Sequence, residues 1–288
     1  MNTFAVIDIG SNSVRLMFVA DGKVLYKRLN TTRLGEGLAD SGVLKAAAIE
    51  RSALAVAEFM RIAKHEGAEQ VFAFATAAVR AAKNGLDFTE RVRELCDLKV
   101  EIISGEEEAE LGILGALGNK DGAVIDIGGA STEIVVRKNG VCVFKKSVDV
   151  GVVRLKDCCG REQDLLIQAA KNAADKFIGM PSVSQIYAIG GTATTLTALW
   201  LGLTEYRSER ITGTRIMAEN LQALAETLLQ KSVEEIAAMP CMPKGRADVL
   251  TGGAVLLVTL LKELKIDALI ASDRDNLEGY AIKRGWME

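Results

Sequence analysis

Two short polar loops repeat in this sequence, Asp8-Ile-Gly-Ser-Asn-Ser13 and Asp126-Ile-Gly-Gly-Ala-Ser-Thr-Glu133, and each begins with an aspartate that ends an apolar run. Glycine and serine turns of this kind expose backbone N–H groups, which bind phosphate with help from hydroxyls. A carboxylate at a strand end suits Mg²⁺, which keeps several waters and needs only one or two protein oxygens. The pair therefore predicts a site that brackets a phosphate chain beside a divalent cation held by Asp8 and Asp126.

The alternative for either loop alone is an ordinary polar hairpin turn, but repetition in register favours a shared function. A third loop, Gly190-Gly-Thr-Ala-Thr-Thr195, follows an apolar strand and opens a helix, whose N-terminus favours an anion. We expect it to reach the same cleft. The residues predicted to bind phosphate through these three loops are Gly10, Ser11, Asn12, Ser13, Gly128, Gly129, Ser131, Thr132, Gly190, Gly191 and Thr192.

Three consecutive glutamates open another predicted helix, in the segment Ser104-Gly-Glu-Glu-Glu-Ala109. Acidic residues in a first helical turn often only complement the helix dipole. The functional alternative is that one glutamate faces the cleft and orients a water for attack on phosphorus. Helical spacing allows only one or two of the three to point that way. The residues alone leave both interpretations open.

Three arginines lie in or near these segments: Arg15, Arg33 and Arg80. The planar guanidinium can donate two parallel hydrogen bonds to phosphate oxygens, so each of the three arginines is a candidate phosphate ligand. Any one of them could instead be a solvated surface residue. Arg15 is the most informative, because it follows the first loop directly.

An internal repeat sets the predicted architecture. Ala5–Gly10 recurs letter for letter as Ala123–Gly128, and the same offset of 118 residues carries Asp21-Gly22 onto Asn139-Gly140. Asp-Gly and Asn-Gly between alternating apolar runs are strong hairpin signals. Each copy is therefore predicted to form a strand, a Gly/Ser loop, a second strand, a hairpin turn and a third strand, and the repetition indicates a duplication.

Helices and further strands follow each meander, which predicts a mixed sheet with helices on both faces. The fold class is thus α/β, with one domain at residues 1–120 and a second at 121–288. A helical insertion is expected at about 213–265, interrupted by Met239-Pro-Cys-Met-Pro243. The last helix, at about 275–288, is a candidate to pack back on the first domain.

Composition excludes several classes of protein. The net charge is −3 and no dense Lys/Arg tract occurs, so a nucleic-acid partner is not expected. No apolar run is long enough to span a bilayer, and the acidic Asp8 interrupts the first apolar segment, so neither a membrane anchor nor a signal peptide is predicted. Five cysteines without a C-x-x-C pair indicate reduced thiols in the cytoplasm.

Several catalytic mechanisms are excluded too. The sequence has no P-loop and no G-x-S-x-G elbow, and its single histidine, His65, lies at a charged helix end. Histidine chemistry is therefore not expected. What remains is chemistry by carboxylates, a metal ion and backbone amides.

Taken together, these segments resemble the exopolyphosphatase and guanosine pentaphosphate phosphatase family, within the actin/Hsp70/sugar-kinase superfold. The resemblance implies two duplicated ribonuclease-H-like, actin-like ATPase domains with the active site in the cleft between them. It runs in family order along nearly the whole chain. The segments that carry it are Ile7–Leu16, Arg33–Leu38, Ala75–Asn84, Ser104–Ala109, Asp126–Glu133, Gly190–Thr195 and Arg246–Asp248.

By this resemblance, Glu108 would be the catalytic base or water-orienting residue, with Glu107 as second choice. Glu133 would join Asp126 in the loop that binds metal and phosphate, the metal being Mg²⁺ or Mn²⁺. Arg80 and Asn84 would line the phosphate channel, with Arg80 close to the reaction.

Three departures from the family pattern stand out. Ala130 replaces a usual glycine, and the usual Gly-Leu-Arg-Glu-Gly appears as Asp275-Asn-Leu-Glu-Gly279, without its arginine. The C-terminal extension of longer members is missing, which suggests a short polymer or a small substrate.

The leading hypothesis is a Mg²⁺-dependent phosphohydrolase that releases terminal phosphate from polyphosphate or guanosine pentaphosphate. The guanosine tetraphosphate is a further candidate ligand. A kinase on the same fold and a non-catalytic alarmone sensor are the alternatives. The sequence leaves the oligomeric state open, with a homodimer as a candidate.

Overall fold

A computed structural model describes residues 2–287. The first sheet has the strand order β3-β2-β1-β4-β5. Strands β1 to β3 form an antiparallel meander, and β4 and β5 continue the sheet parallel to β1. The strands are β1 Thr3–Ile9, β2 Val14–Ala20, β3 Lys23–Asn30, β4 Gln70–Ala75 and β5 Val100–Ile102.

The second sheet repeats this plan and adds one edge strand, in the order β10-β11-β9-β6-β7-β8. Strands β6 to β8 form the second antiparallel meander, β9 and β11 run parallel to β6, and β10 pairs antiparallel with β11. The strands are β6 Gly122–Ile127, β7 Thr132–Lys138, β8 Val141–Val148, β9 Gln185–Ile189, β10 Arg215–Met217 and β11 Ala268–Ala271.

Helices cover the faces of both sheets, and α5 leads from the first sheet to the second. Within residues 2–287, no helix combines the length and apolar character needed to cross a membrane. The helices are α1 Leu38–Ser41, α2 Ala46–His65, α3 Ala77–Ala81, α4 Gly85–Cys96, α5 Gly105–Leu117, α6 Val152–Cys159, α7 Gln163–Lys176, α8 Gly190–Trp200, α9 Ser208–Ile211, α10 Ala218–Gln230, α11 Val233–Ala237, α12 Ala247–Glu263 and α13 Asn276–Lys283.

The two meanders match in fine detail. β2 and β7 begin 118 residues apart, as do β3 and β8. Asp21 and Asn139 take left-handed φ angles of 48° and 53°, each followed by a left-handed glycine, as a type I′ hairpin turn requires. Even the β-bulge recurs, after Phe18 in one copy and after Val136 in the other. The predicted duplication into ribonuclease-H-like, actin-like units is confirmed.

Each domain has its own core. Helix α12 is buried along nearly its whole length, from Val249 to Leu261, which is why its sequence is apolar on every side. The insertion predicted to be helical also contains β10, a three-residue strand that the sequence pattern did not indicate. The boundary at residues 120 and 121 stays a prediction.

Helix α13 crosses α5 and lies against the first sheet. The ring of Tyr280 stacks on Phe74 with centroids 5.1 Å apart, and Trp286 contacts Phe4 at 4.5 Å. The crossing depends on glycines: a Cβ at Gly115 would lie 1.8 Å from the carbonyl oxygen of Asp275. The backbones of α5 and α13 therefore approach too closely to leave room for a side chain at Gly115.

Candidate active site

The two repeated loops meet at the bottom of a cleft of about 360 Å³ between the sheets. Each is closed by the same backbone hydrogen bond, Gly10 N–H to Ser13 O and Gly128 N–H to Ser131 O, both at 3.0 Å. A Cβ at Gly129 would lie 2.7 Å from Cβ of Ser11, so the loops touch. The sequence-predicted residues that line the cleft are Asp8, Gly10, Ser11, Asn12, Ser13, Arg15, Glu108, Asp126, Gly128, Gly129, Ser131, Gly190, Gly191 and Thr192.

The third loop joins them at the start of α8. Gly190 has a φ angle of 77°, and a Cβ there would lie 2.5 Å from Oδ1 of Asp126. Only glycine brings this backbone so close to the carboxylate. The N-terminus of α8 therefore points its free N–H groups into the cleft, where they favour an anion.

Arg246 adds a positive charge beside this helix start. Its Nη1 occupies the place that a Cβ on Gly191 would take, at 1.5 Å. The side chain is buried, and within residues 2–287 no carboxylate forms an ion pair with it. Burial, reinforced by the charge of Arg15, lowers the pKa of Arg246 to about 10. The guanidinium is thus a buried cation ready for an anionic ligand.

Equivalent positions of the two copies carry opposite charges. Asp8 faces Arg15 across β1 and β2, while Asp126 faces Glu133 across β6 and β7. Both nitrogens that Arg15 turns toward Asp8 contact one oxygen, Oδ2. The first copy is therefore neutralised internally, whereas the second places two carboxylates side by side, a cluster that only a cation or protons would balance.

Burial dominates the electrostatics of this carboxylate pair. Desolvation raises the pKa of Asp126 to about 7, against the opposing charge of Arg15. Desolvation and the neighbouring Asp126 raise the pKa of Glu133 to about 8. Oε1 of Glu133 accepts a hydrogen bond from Ser147 Oγ at 2.6 Å. Glu133 does not itself line the cleft.

Glu108 faces the same cluster from the first turn of α5. The Ser104 hydroxyl caps this helix by accepting from the N–H of Glu107, which fixes the rotation of the turn. Glu108 is 7% exposed, and burial, followed by the charge of Glu133, raises its pKa well above the usual range. Arg80 donates from Nη1 to Glu108 Oε2 at 3.2 Å and to Ile103 O at 2.8 Å. Arg80 therefore holds the glutamate instead of lining the cleft.

Two predictions of cleft residues need correction. Glu107 turns outward and pairs with Lys283 at 2.8 Å, because one residue along a helix rotates the side chain by about 100°. Arg33 pairs with Asp248 at 2.8 Å and donates to the carbonyl of Gly245. It joins the two domains at the rim and does not line the cleft.

Asn84 and Thr132 were predicted to bind phosphate, and the structure uses both side chains elsewhere. The amide of Asn84 makes two hydrogen bonds to the backbone of Leu44, at 2.7 and 3.0 Å. Thr132 is fully buried and donates to the carbonyl of Val150 at 2.7 Å. Both side chains fix a loop conformation.

Sequence reasoning missed several residues of the cleft. Asp275 accepts a hydrogen bond from Arg15, and Asn276 donates to Asp126 Oδ2 at 3.2 Å. The one available signal was the spacing of Asp275 and Glu278, which form a capping box at the start of α13. Some further cleft residues belong to segments that the sequence singled out without naming them as site residues: Thr76, Ala77, Ile127, Ala130, Thr194, Thr195 and Arg246. The remaining cleft residues were not predicted: Lys27, Arg28, Leu29, Val152, Tyr206, Pro243, Val249, Leu250, Asp273 and Leu277.

The donor set is suited to a magnesium-type ion that the substrate helps to bind. Within residues 2–287, no three acidic, histidine or cysteine side chains converge into a complete metal site. Among the strand-end carboxylates and the residues opposite them, Oδ1 of Asp8 and Oε2 of Glu133 are buried and have no hydrogen-bond partner in the described part of the chain. Mg²⁺ commonly takes one or two carboxylates and completes its shell with water and phosphate oxygens.

A duplicated actin-like fold with a buried carboxylate cluster and three phosphate-type loops in its cleft defines a class of phosphate-processing proteins. The chain belongs to the Ppx/GppA phosphatase family, whose sequence profile matches residues 16–283, and it is therefore a hydrolase. It is 31% identical to exopolyphosphatase 2 of Mycobacterium tuberculosis over 96% of this chain and 97% of that protein. The predicted family is confirmed.

Two further relatives agree with this assignment. The guanosine-5'-triphosphate,3'-diphosphate pyrophosphatase of Pseudoalteromonas translucida is 28% identical over 99% of this chain, which spans only 58% of that protein. The crystal structure of the Aquifex aeolicus member of the Ppx/GppA family matches with a TM-score of 0.79 and 29% identity. It covers 98% of this chain and 97% of its own.

Proposed function

We propose that this protein is a phosphohydrolase that releases the terminal phosphate of inorganic polyphosphate or guanosine pentaphosphate, with Mg²⁺ or Mn²⁺. The observation that carries the proposal is the position of Glu108. This buried carboxylate lines a cleft together with Asp126 and the phosphate-type loops, and it lies close enough to Glu133 for that charge to raise its pKa. The names of the relatives supply both candidate substrates.

The loops would hold the terminal phosphoryl group by their backbone N–H groups and hydroxyls. Arg246, which has no carboxylate partner among the described residues, brings positive charge for a polyanion, and Arg15 lines the same cleft. Asp126 and Glu133, with Asp8 adjacent, would hold the divalent ion, which when bound neutralises charge on the phosphoryl oxygens. These contributions amount to positioning and electrostatic stabilisation, as phosphoryl transfer requires.

Glu108 would orient the attacking water and accept its proton. Burial raises the pKa of Glu108, which increases the affinity of its carboxylate for the proton of the attacking water. The hydrogen bond from Arg80 favours the ionised form, which is the form that can accept a proton.

The test of this role is Glu108→Gln, with Glu107→Gln as matched control. Loss of a general base reduces turnover by about 10²–10⁴-fold, and we expect that loss for Glu108→Gln with substrate binding largely retained. The neighbouring Glu107, which points outward, should tolerate the same change. Phosphate release and equilibrium binding of polyphosphate would be measured for both variants; full turnover by Glu108→Gln would overturn the proposal.

The substrate is best decided by a direct comparison. Phosphate release from short polyphosphate, long polyphosphate and guanosine pentaphosphate should be measured with and without Mg²⁺. Transfer of phosphate to an acceptor faster than to water would indicate a kinase, and nucleotide binding without any release would indicate a sensor. We propose a cytoplasmic location, because the proposed substrates and the predicted reduced state of the cysteines both fit that compartment.

A further inference from the structure

Two consecutive residues at the start of α13 reach the strand-end carboxylates of both copies. Asp275 contacts Arg15, which in turn binds Asp8 of the first copy. Asn276 contacts Asp126 of the second copy directly. Asp275 and Asn276 follow β11 of the second sheet and begin α13, which lies against the first sheet. This dipeptide therefore lies between the two strand-end carboxylates.

The Asn276 side chain makes one hydrogen bond among the described residues, and its acceptor is Asp126. It is 3% exposed, and its Nδ2 donates to Asp126 Oδ2 at 3.2 Å. Its Oδ1 lies against Gly112 of α5, where a Cβ would come within 3.2 Å, and has no hydrogen-bond partner within residues 2–287. Burial of the Asn276 amide therefore costs free energy, because an unsatisfied buried oxygen is unfavourable. The hydrogen bond to Asp126 is the contact that the amide makes in return.

That hydrogen bond fixes which oxygen of Asp126 remains free. With Oδ2 held by Asn276, Oδ1 faces the backbone of Gly190 at the start of α8. Asn276 is the side-chain donor to Asp126 among the hydrogen bonds of the described residues. Without it, the carboxylate would be free to rotate about its terminal torsion.

The neighbouring Asp275 keeps the dipeptide in place. Its Oδ1 accepts from the N–H of Leu277 at 3.0 Å, and Glu278 Oε2 accepts from the N–H of Asp275 at 3.0 Å. Lys27 then pairs with Glu278 at 2.7 Å and donates to the carbonyl of Asp273. The start of α13 is thus anchored to the first sheet on both sides of Asn276.

We propose that Asn276 is a positioning residue of the cation site: it orients the Asp126 carboxylate toward the cleft, while Asp275 ties the same turn to the Asp8–Arg15 pair. This inference rests on the proposed function, because it assigns a role toward the ion held by Asp126 and Glu133. Groups that orient metal-binding carboxylates typically change metal affinity by about 10–100-fold when removed.

The test is Asn276→Leu, which keeps a similar volume and removes the donor. Mn²⁺ binding to the substrate-free protein should be measured by electron paramagnetic resonance, and phosphate release in parallel. We expect Mn²⁺ affinity about 10-fold or more below that of the unmodified protein. Tyr280→Phe is the matched control, since it removes one hydrogen bond, to Glu101, from the same helix away from the cleft. It should bind Mn²⁺ like the unmodified protein.

The outcomes separate this role from the proposed function. Unchanged Mn²⁺ affinity in Asn276→Leu overturns the positioning role, even if the protein releases phosphate. Reduced affinity supports it, even if the unmodified protein releases none. Failure of the unmodified protein to bind Mn²⁺ also overturns it. If Asn276→Leu does not fold, Asn276→Ala tests the same donor without added bulk, and an equal loss in Tyr280→Phe would show general loosening of α13 and refute the specific role.

Discussion

The residue that separates the two copies chemically is the one opposite the strand-end aspartate. Arg15 neutralises Asp8, whereas Glu133 in the equivalent place adds charge to Asp126. A single difference in charge gives one copy an internal ion pair and the other a pair of carboxylates, which we propose as the cation site. This argues that Asp8, although one of its oxygens is unpartnered, contributes less to metal binding than Asp126 and Glu133.

The raised pKa values of that pair predict a pH-dependent metal affinity. Without metal, Asp126 titrates at about 7 and Glu133 at about 8, so at lower pH a divalent ion must displace protons to bind. Apparent Mn²⁺ affinity should therefore rise with pH, by roughly tenfold per unit for each proton displaced, and level off above a pH of about 8.

Isothermal titration calorimetry at about pH 6.5 and 8.5, in buffers of different ionisation enthalpy, measures both affinity and proton release. We expect more protons released at the lower pH. Equal affinity and no proton release at either pH would contradict the assignment of these two carboxylates as ligands.

Sequence reasoning succeeded where the residues that act together are also close in the chain. The loops from Asp8 and Asp126 carry their own aspartate, glycines and hydroxyls. The choice of Glu108 came from the family resemblance, because the residues of Ser104–Ala109 alone did not show which glutamate faces the cleft. Sequence reasoning failed for Arg33 and Asn84, whose partners lie far away in sequence. Arginine and asparagine side chains can bind phosphate or make structural hydrogen bonds. Only the tertiary contacts show that Arg33 and Asn84 do the latter.

At the scale of elements, hairpins were the easiest part of the fold to predict, because turn residues and alternation are local. The repeated turns at Asp21 and Asn139 show this. Strand β10 was missed because its three residues are defined only by pairing with β11. The crossing of α5 with α13 could not be predicted either, since glycines inside a helix do not reveal which backbone will approach them.

This crossing predicts a large effect for Gly115→Ala. The added methyl would meet the carbonyl of Asp275, so α13 must shift and the dipeptide at its start with it. We expect a loss of about 1–3 kcal/mol in the free energy of unfolding, together with weaker metal binding.

Gly252→Ala in α12 is the control, because there the nearest atoms lie at 3.5 Å or beyond. It should cost nothing and stabilise by up to about 1 kcal/mol, the usual gain for alanine over glycine in a helix. Urea unfolding of both variants measures the difference. Equal stability would mean that the helices separate without penalty.

At the scale of the molecule, the two domains are also joined at the rim of the cleft. Arg33 pairs with Asp248, which Lys156 of the same second domain also contacts, and Gly37 donates its N–H to Asp157 at 2.8 Å. The Arg33–Asp248 and Gly37–Asp157 contacts join the first domain to the second, apart from the contact of α13 with the first sheet. The cleft is therefore bounded by two separate interdomain connections.

A double-mutant cycle tests whether Arg33 belongs to this connection or to the phosphate site. Arg33→Ala and Asp248→Asn should each lower the free energy of unfolding by at most about 1 kcal/mol, as expected for a partly exposed ion pair. The double variant should lose less than the sum. Both variants should change KM for the phosphorylated substrate alike; a rise in KM for Arg33→Ala alone would place Arg33 on the phosphate after all.

The return of α13 to the first sheet has a consequence for biosynthesis. The apolar face formed by Phe4, Val6 and Phe74 is covered by residues from Leu277 to Trp286, which a ribosome adds only after the strands of the second sheet. The first domain thus emerges long before its own final layer exists, and its exposed face must wait while the second domain is made. Completion of the N-terminal core and assembly of the cleft then become a single event that follows synthesis of the second domain.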